Sequence, residues 1–285
     1  MVDYLKDGAV QVRQDNGGTA TVCVYALADG AMKKVYMRNE TYFKYDFTSM
    51  PNTDEVLIKE PIQTGTAWTL KDGSARSITA VGKQVTTPSG TYKALEVTTT
   101  GTDSTWKDYY ARDIGLVKSE FTSGGDTITS ELEKIEIGVS DKNTVRFYFP
   151  DFNQQKAVYE DREIETNTNE DVLNKLELGL KTVPFGSGLL PTLSDTAKAL
   201  SVSLDESKGI VTVDFSQELI SGMNAGSAME GLAIKSITNT FGHYYQMDKV
   251  IISVEGEPYE SGHIALQAGE YFTVSDAGTA GYQAP

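Results

Sequence analysis

The sequence predicts an α+β protein built in two parts. A mostly antiparallel β domain, a curved sheet or partial barrel, comes first, and a β-α-β-β-α-β two-layer sandwich follows it. Three observations predict this. Residues 3–137 hold many short runs of aromatic and β-branched residues at close spacing, with no long helical period. From Thr144 to Glu257, strand-like and helix-like runs alternate. Between the two, residues 136–143 have no clear period, which sets the domains at 1–138 and 142–275.

In the first domain, residues 21–27 alternate as a strand does, and 35–37 and 42–47 are further strand candidates. A Pro51-Asn52-Thr53-Asp54 turn separates these from runs at 67–70, 75–80, 83–86, 92–97, 106–110, 116–121 and 128–135. Turn dipeptides fall where hairpins need them, at Asp72-Gly73, Ser89-Gly90 and Gly124-Gly125.

The second domain opens with a strand at 144–149, rich in aromatic residues. Residues 150–167 are polar, with 161–165 as a short exposed strand or arm. A helix over 169–182 places Val172, Leu173, Leu176 and Leu180 on one face, and Pro184 and Gly186 stop it. Thr168, three residues before Asp171, is its expected cap. Leu200, Val202 and Leu204 alternate, as do Val211, Val213 and Phe215, giving two strands with one buried face each, joined by a hairpin loop that needs a left-handed Gly209. A second helix, capped by Ser227 with Glu230 three residues on, buries Ala233, Ile234, Ile237 and Phe241 and ends at Gly242. A strand at 249–254 follows, and 260–274 adds one more edge strand. The small, polar tail after Val274 is expected to fray.

At 285 residues, 39% hydrophobic and 23% charged, the chain has the composition of a soluble two-domain protein. Its net charge of −15 argues against nucleic acid or an anionic membrane surface as a partner, because both are polyanions. Cys23 is the one cysteine, set in an alternating run as a buried small hydrophobe, so no internal disulfide supports the fold. No apolar run approaches the ~20 residues that span a bilayer. There is no signal peptide and no lipobox, so the protein is either cytoplasmic or exported by a segment preceding residue 1.

Catalytic and metal-binding patterns are absent. The two histidines, His243 and His263, stand in no recognised ligand spacing with Asp248, Glu255, Glu257 or Glu260, and His243 reads as a surface or helix-end residue. Gly186-Ser187-Gly188 lacks the lysine and strand-to-helix setting of a phosphate loop. The acidic residues at 161–165 and 205–206 fit no twelve-residue calcium loop and read as solvated connections. No enzyme, cofactor or metal is expected.

Residues 145–149, 200–204, 209–216, the helix from Glu230 to Phe241 and residues 250–256 together resemble the GerMN domain, the sporulation and spore-germination domain of Gram-positive bacteria. The most specific piece is Thr212-Val213-Asp214-Phe215-Ser216, followed by a Gly/Ser-rich lead into a helix. The likeness spans roughly residues 142–260, in a single copy. It implies an exported cell-surface lipoprotein, a fold similar to ring-building domains, and a non-enzymatic role in sporulation, germination or envelope assembly. Residues 68–73, 87–92 and 109–118 resemble the β-rich region that precedes such domains in clostridial lipoproteins.

The expected function is therefore an extracytoplasmic adaptor that works through protein–protein contacts, with membrane attachment only through a lipid anchor outside this sequence. A monomer or weak dimer is expected, since like charge opposes self-packing and one domain copy offers no avidity. The contact surface is placed on the exposed side of the 200–216 hairpin together with an edge strand near Val250. The alternative is a ligand-binding module for glycan or peptide on a concave aromatic face, for which Tyr42, Tyr45, Trp106 and Tyr109 are the candidate residues.

Overall fold

The computed structural model describes residues 1–223 and 226–283, and these form two units. The first comprises Met1–Tyr42, Asp46–Val139 and Asn167–Asn169; the second comprises Phe43–Tyr45, Ser140–Thr166 and the chain from Glu170 onward.

The first unit is two open antiparallel meanders in which neighbours in sequence are neighbours in space. One runs β1 (Val2–Lys6), β2 (Ala9–Asp15), β3 (Ala20–Ala28), β4 (Ala31–Arg38), β5 (Glu55–Lys59). The other runs β6 (Ala67–Thr69), β7 (Ala75–Thr87), β8 (Gly90–Thr100), β9 (Ser104–Ala111), β10 (Gly115–Ser123), β11 (Asp126–Glu131). Neither closes into a barrel. Asp7-Gly8 and Asp29-Gly30 have positive φ at both positions, the turn whose twist suits a two-residue hairpin. The runs expected at 75–80 and 83–86 are one strand, β7, with register shifts between Ile78 and Lys83 against β8.

Residues 42–47 form no strand. Their aromatics act as anchors for an irregular segment: Phe47 is fully buried, stacks on Tyr36 at 4.6 Å and 13°, and its amide donates to the Gln11 side chain at 2.8 Å instead of to a ladder. Burying such a ring stabilises by about 2–3 kcal/mol, enough to fix a loop without strand pairing. The second sheet has its own small core of Val85, Ala94, Tyr109, Ala111 and Val117.

In the second unit, β12 (Asp141–Asp151) and β13 (Lys156–Thr166) form a long hairpin, followed by α1 (Leu173–Lys181), β14 (Ala199–Asp205), β15 (Ile210–Phe215), the single turn α2 (Glu218–Ser221), α3 (Ser227–Tyr245), β16 (Lys249–Val254), β17 (Glu257–Pro258), β18 (Phe272–Thr273) and β19 (Thr279–Gly281). The strands make two sheets, β12-β13-β19 and β14-β15-β16-β17 with β18 also on β16. The expected lone strand at 144–149 is thus half of an eleven-pair ladder with β13 and lies in a different sheet from the 200–216 hairpin. Helix α3 joins the two layers through Ile237, Phe241 and Tyr245, all fully buried, with Phe241 edge-on to Phe215 at 6.0 Å. Its Thr240 hydroxyl takes up the Tyr148 amide of β12 at 3.0 Å.

Both helix starts differ from expectation. Helix α1 begins four residues late: Thr168 donates to the Val2 carbonyl, and Asp171 accepts from the Leu173 amide at 2.9 Å. At α3 the N-cap is Gly226, and Glu230 does not reach back to it. Its carboxylate is buried and accepts from the Tyr259 hydroxyl at 2.9 Å and from Ser261. Gly242 does not end α3, which runs three residues further to a left-handed Gln246. A Cβ at Gly242 would lie 2.1 Å from Val274, so this glycine permits a close crossing.

The tail does not fray through Tyr282. The Val274 amide donates to the Asp248 carbonyl, the Asn239 side chain makes two bonds to the Ser275 backbone, Tyr148 donates to Asp276 at 2.8 Å, and β19 pairs in parallel with β13. A polar composition misled here because the bonds come from a helix side chain and a sheet edge distant in sequence. Ala284 and Pro285 lie outside the described residues, as do Asn224 and Ala225 in the lead into α3.

Candidate functional site

Residues directly opposed in an antiparallel sheet share a face. In the second sheet of the first unit this sets Trp68, Arg76, Thr99, Trp106, Phe121 and Ile128 in one row across six strands. Its middle members, Arg76, Thr99 and Trp106, line a cleft of about 650 Å³, completed by residues 53–56 at the start of β5, the β6–β7 turn and the β8–β9 turn.

Two side chains organise the cleft. Arg76 is nine-tenths buried. Its Nε donates to Thr99 Oγ1 at 2.7 Å, and Nη1 donates to Glu55 Oε1 at 3.1 Å and to the Val56 carbonyl at 2.9 Å. Nη2 makes no hydrogen bond to another described residue. Trp106 is 46% exposed, yet its indole is fixed. Nε1 donates to Ser119 Oγ at 2.6 Å and to Asp108 Oδ1 at 3.1 Å, Ser119 donates on to Asp108 at 2.7 Å, and the Phe121 ring packs against it at 4.8 Å. An exposed aromatic held this firmly loses little freedom when something stacks on it.

Charge in the cleft is mixed. Burial pushes the Glu55 carboxyl up, but the ion pairs to Lys34 at 2.7 Å and Arg76 at 3.1 Å outweigh it and hold the group below the usual carboxylate range. Asp108, beneath the indole, goes the other way: burial raises it and the donors from Ser119 and Trp106 only partly offset that. Asp72 is held low by the Ser74 amide. Neither histidine nor Cys23 lines the cleft. Among the described residues no group of three or more His, Cys, Asp or Glu could hold a metal ion, and no helix is long and apolar enough to cross a membrane.

Of the four residues singled out in the sequence, only Trp106 lines this cleft. Tyr109 stands three positions along the same strand and so on the opposite face, buried in the small core with its hydroxyl donating to Glu120 at 3.0 Å. Tyr42 is exposed and donates to Glu40 at 2.7 Å. Tyr45 is in the second unit, edge-on to Tyr245 at 6.1 Å. Sequence reasoning missed Arg76 and Asp108; the available signal was parity, since Arg76 shares a face with Ile78, as Asp108 does with Trp106.

The second unit offers a different surface. Strand β14 ends its sheet, and no described strand pairs with its outer side. It carries Leu200, which the alternation with Val202 and Leu204 places on the buried face but which is 51% exposed, the register against β15 shifting between Ala199 and Ser201. Ser201 and Ser203 are exposed beside it, and the strand holds neither Lys nor Pro. The strand near Val250 is not an edge: β16 lies between β15 and β17, and Val250 is fully buried.

Residues 146–260 match the family described as Germane, sporulation and spore germination. Among solved structures, a candidate lipoprotein from Clostridium perfringens is 20% identical, with a TM-score of 0.32 over 50% of this chain and 93% of the other. The tandem GerMN domains of the sporulation protein GerM from Bacillus subtilis are 19% identical, with a TM-score of 0.37 over 53% and 56%. The first GerMN domain of that protein gives 17%, 0.35, 47% and 98%. No curated protein matches the chain.

Proposed function

We propose, from the match of residues 146–260 to the Germane family, that the chain is a non-enzymatic adaptor of the sporulation or germination apparatus, acting outside the cytoplasmic membrane on another envelope protein. The observation that carries this reading is the β14 edge. Beyond Ala199, whose amide donates to Glu177 at 2.8 Å, no described strand pairs with the outer side of β14. Its exposed Leu200 stands beside Ser201 and Ser203 with Asp205 as the one charge at the far end, so an extended segment of a partner can add there as a further strand. Main-chain bonds supply affinity in that mode, and Leu200 with Ser201 supplies contacts for recognition. The net charge of −15 favours a partner over a second copy, because two identical chains repel at low salt.

Sedimentation velocity at micromolar protein, from low to high salt, tests this. The chain is expected to sediment as a monomer, with at most a weak dimer as salt screens the repulsion. A closed oligomer that ignores salt would show self-assembly to be the function.

A further inference from the structure

We propose that the cleft of the first unit is a binding site for a neutral, N-acetylated amino-sugar chain. This goes beyond the adaptor reading and does not depend on it, since β14 belongs to the other unit. Three features of the cleft each ask for one part of such a ligand.

The indole of Trp106 offers a rigid, half-exposed platform, fixed by Ser119, Asp108 and Phe121. The C–H face of a pyranose ring stacks on such a surface, and little order remains to be imposed on binding. Arg76 sits two strands away in the same row, about 10 Å at the usual strand spacing. Its Nη2 protons have no acceptor among the described residues, while the rest of the guanidinium is buried and held. A guanidinium so placed wants a carbonyl or carboxylate oxygen. The Asp54 and Asp72 carboxylates at the mouth, with Thr53, Thr69 and Ser104, are acceptors for ring hydroxyls.

Charge chooses between a carbonyl and a carboxylate. The lining carries Asp54, Glu55 and Asp72 against Lys71 and Arg76, and the whole chain stands at −15. An anionic polymer is repelled at both scales. The acetamido carbonyl of an N-acetylhexosamine satisfies Nη2 without adding charge, and its hydroxyls answer the carboxylates.

The experiment is a titration of the purified full chain in a Trp68→Phe background, leaving Trp106 as the single indole fluorophore. The probes are the tetramer of β-1,4-linked N-acetylglucosamine and the matching glucose tetramer. Saturable quenching is expected with the acetylated tetramer. The unacetylated one should bind at least tenfold more weakly, because Nη2 then lacks its acceptor. Trp106→Ala and Arg76→Lys, followed by calorimetry and checked for folding by circular dichroism, should each weaken the acetylated tetramer tenfold or more. Asp72→Asn, an exposed and structurally mild change, should weaken it less. Equal affinity for both sugars, binding unchanged in a folded Trp106→Ala, or quenching only by peptides and by neither sugar would each overturn the assignment.

Discussion

A methyl group added to two helix glycines should act in opposite directions. Gly179 lies in α1 and Gly231 in α3, and on propensity alone glycine to alanine in a helix gains about 1 kcal/mol at either site. At Gly231 the new Cβ meets nothing within 4 Å, so the gain should appear in full. At Gly179 the Cβ would stand 2.0 Å from Phe147 Cε1, where contacts below 3.0 Å are essentially never seen. The ring would have to retreat by roughly 1 Å, but it is fully buried and covered by the Arg162 guanidinium at 5.2 Å from its centre. Overpacking of this kind costs about 3 kcal/mol at its upper end, leaving a net loss of about 2 kcal/mol after the propensity gain. At about 3 °C per kcal/mol for a unit of this size, Gly231→Ala should raise Tm by about 3 °C and Gly179→Ala should lower it by about 6 °C. Thermal melts followed by far-ultraviolet circular dichroism read both. If Gly179→Ala melts higher than the parent, the packing of α1 on β12 described here is wrong.

Three further outcomes follow from the bonding. Burial pushes Glu177 up, but Lys181, the Ala199 amide and Lys198 together hold it below the usual carboxylate range. Its stabilisation is therefore present above the unfolded pKa and lost as pH falls through the lower folded value. Glu177→Gln should cost about 2 kcal/mol at pH 7 in denaturant titrations, and the difference should shrink in acid. Asp108 has the opposite sign: its raised pKa favours the fold below the unfolded value, and that contribution is lost as pH rises through the folded one. Asp108→Asn, which still accepts from Ser119 and Trp106, should melt higher than the parent at pH 7 and show no such gain near pH 3. Gly242→Ala should push Val274 away and expose the Ser275 and Tyr282 amides to hydrogen exchange while α3 stays protected; unchanged exchange would contradict the close crossing.

Local pattern was legible wherever one residue type and one period decide the structure. The alternation of Val211, Val213 and Phe215 and the face of Leu173, Leu176 and Leu180 are buried as their spacing requires. Gly209 takes the left-handed turn at φ +64°. What was not legible depends on pairing across distance. Only 161–165 of the eleven-residue strand 156–166 could be read, as a short exposed strand or arm, because the outward residues are charged and the register comes from β12. The aromatics at 42–47 resemble a strand in composition, but Phe47 is buried by stacking on Tyr36 and Phe43 by an edge-on contact with Tyr245, while Tyr42 stays exposed. The cleft failed to show itself for the same reason: Trp68, Arg76, Thr99 and Trp106 are neighbours only through strand register. The β14 edge was half visible, since the hairpin could be read but not which of its strands lay outermost.

The adaptor reading is tested most directly by placing a photo-cross-linking residue at Leu200 in cells that are forming or germinating spores. A control position at Ile128 in the first unit is more open still, at 70% exposure against 51%. An adduct is expected from position 200 with one other envelope protein, absent from position 128 and lost when Ser201→Lys guards the edge. An adduct between two copies of this chain, or a foreign adduct from position 128 with none from 200, would contradict it.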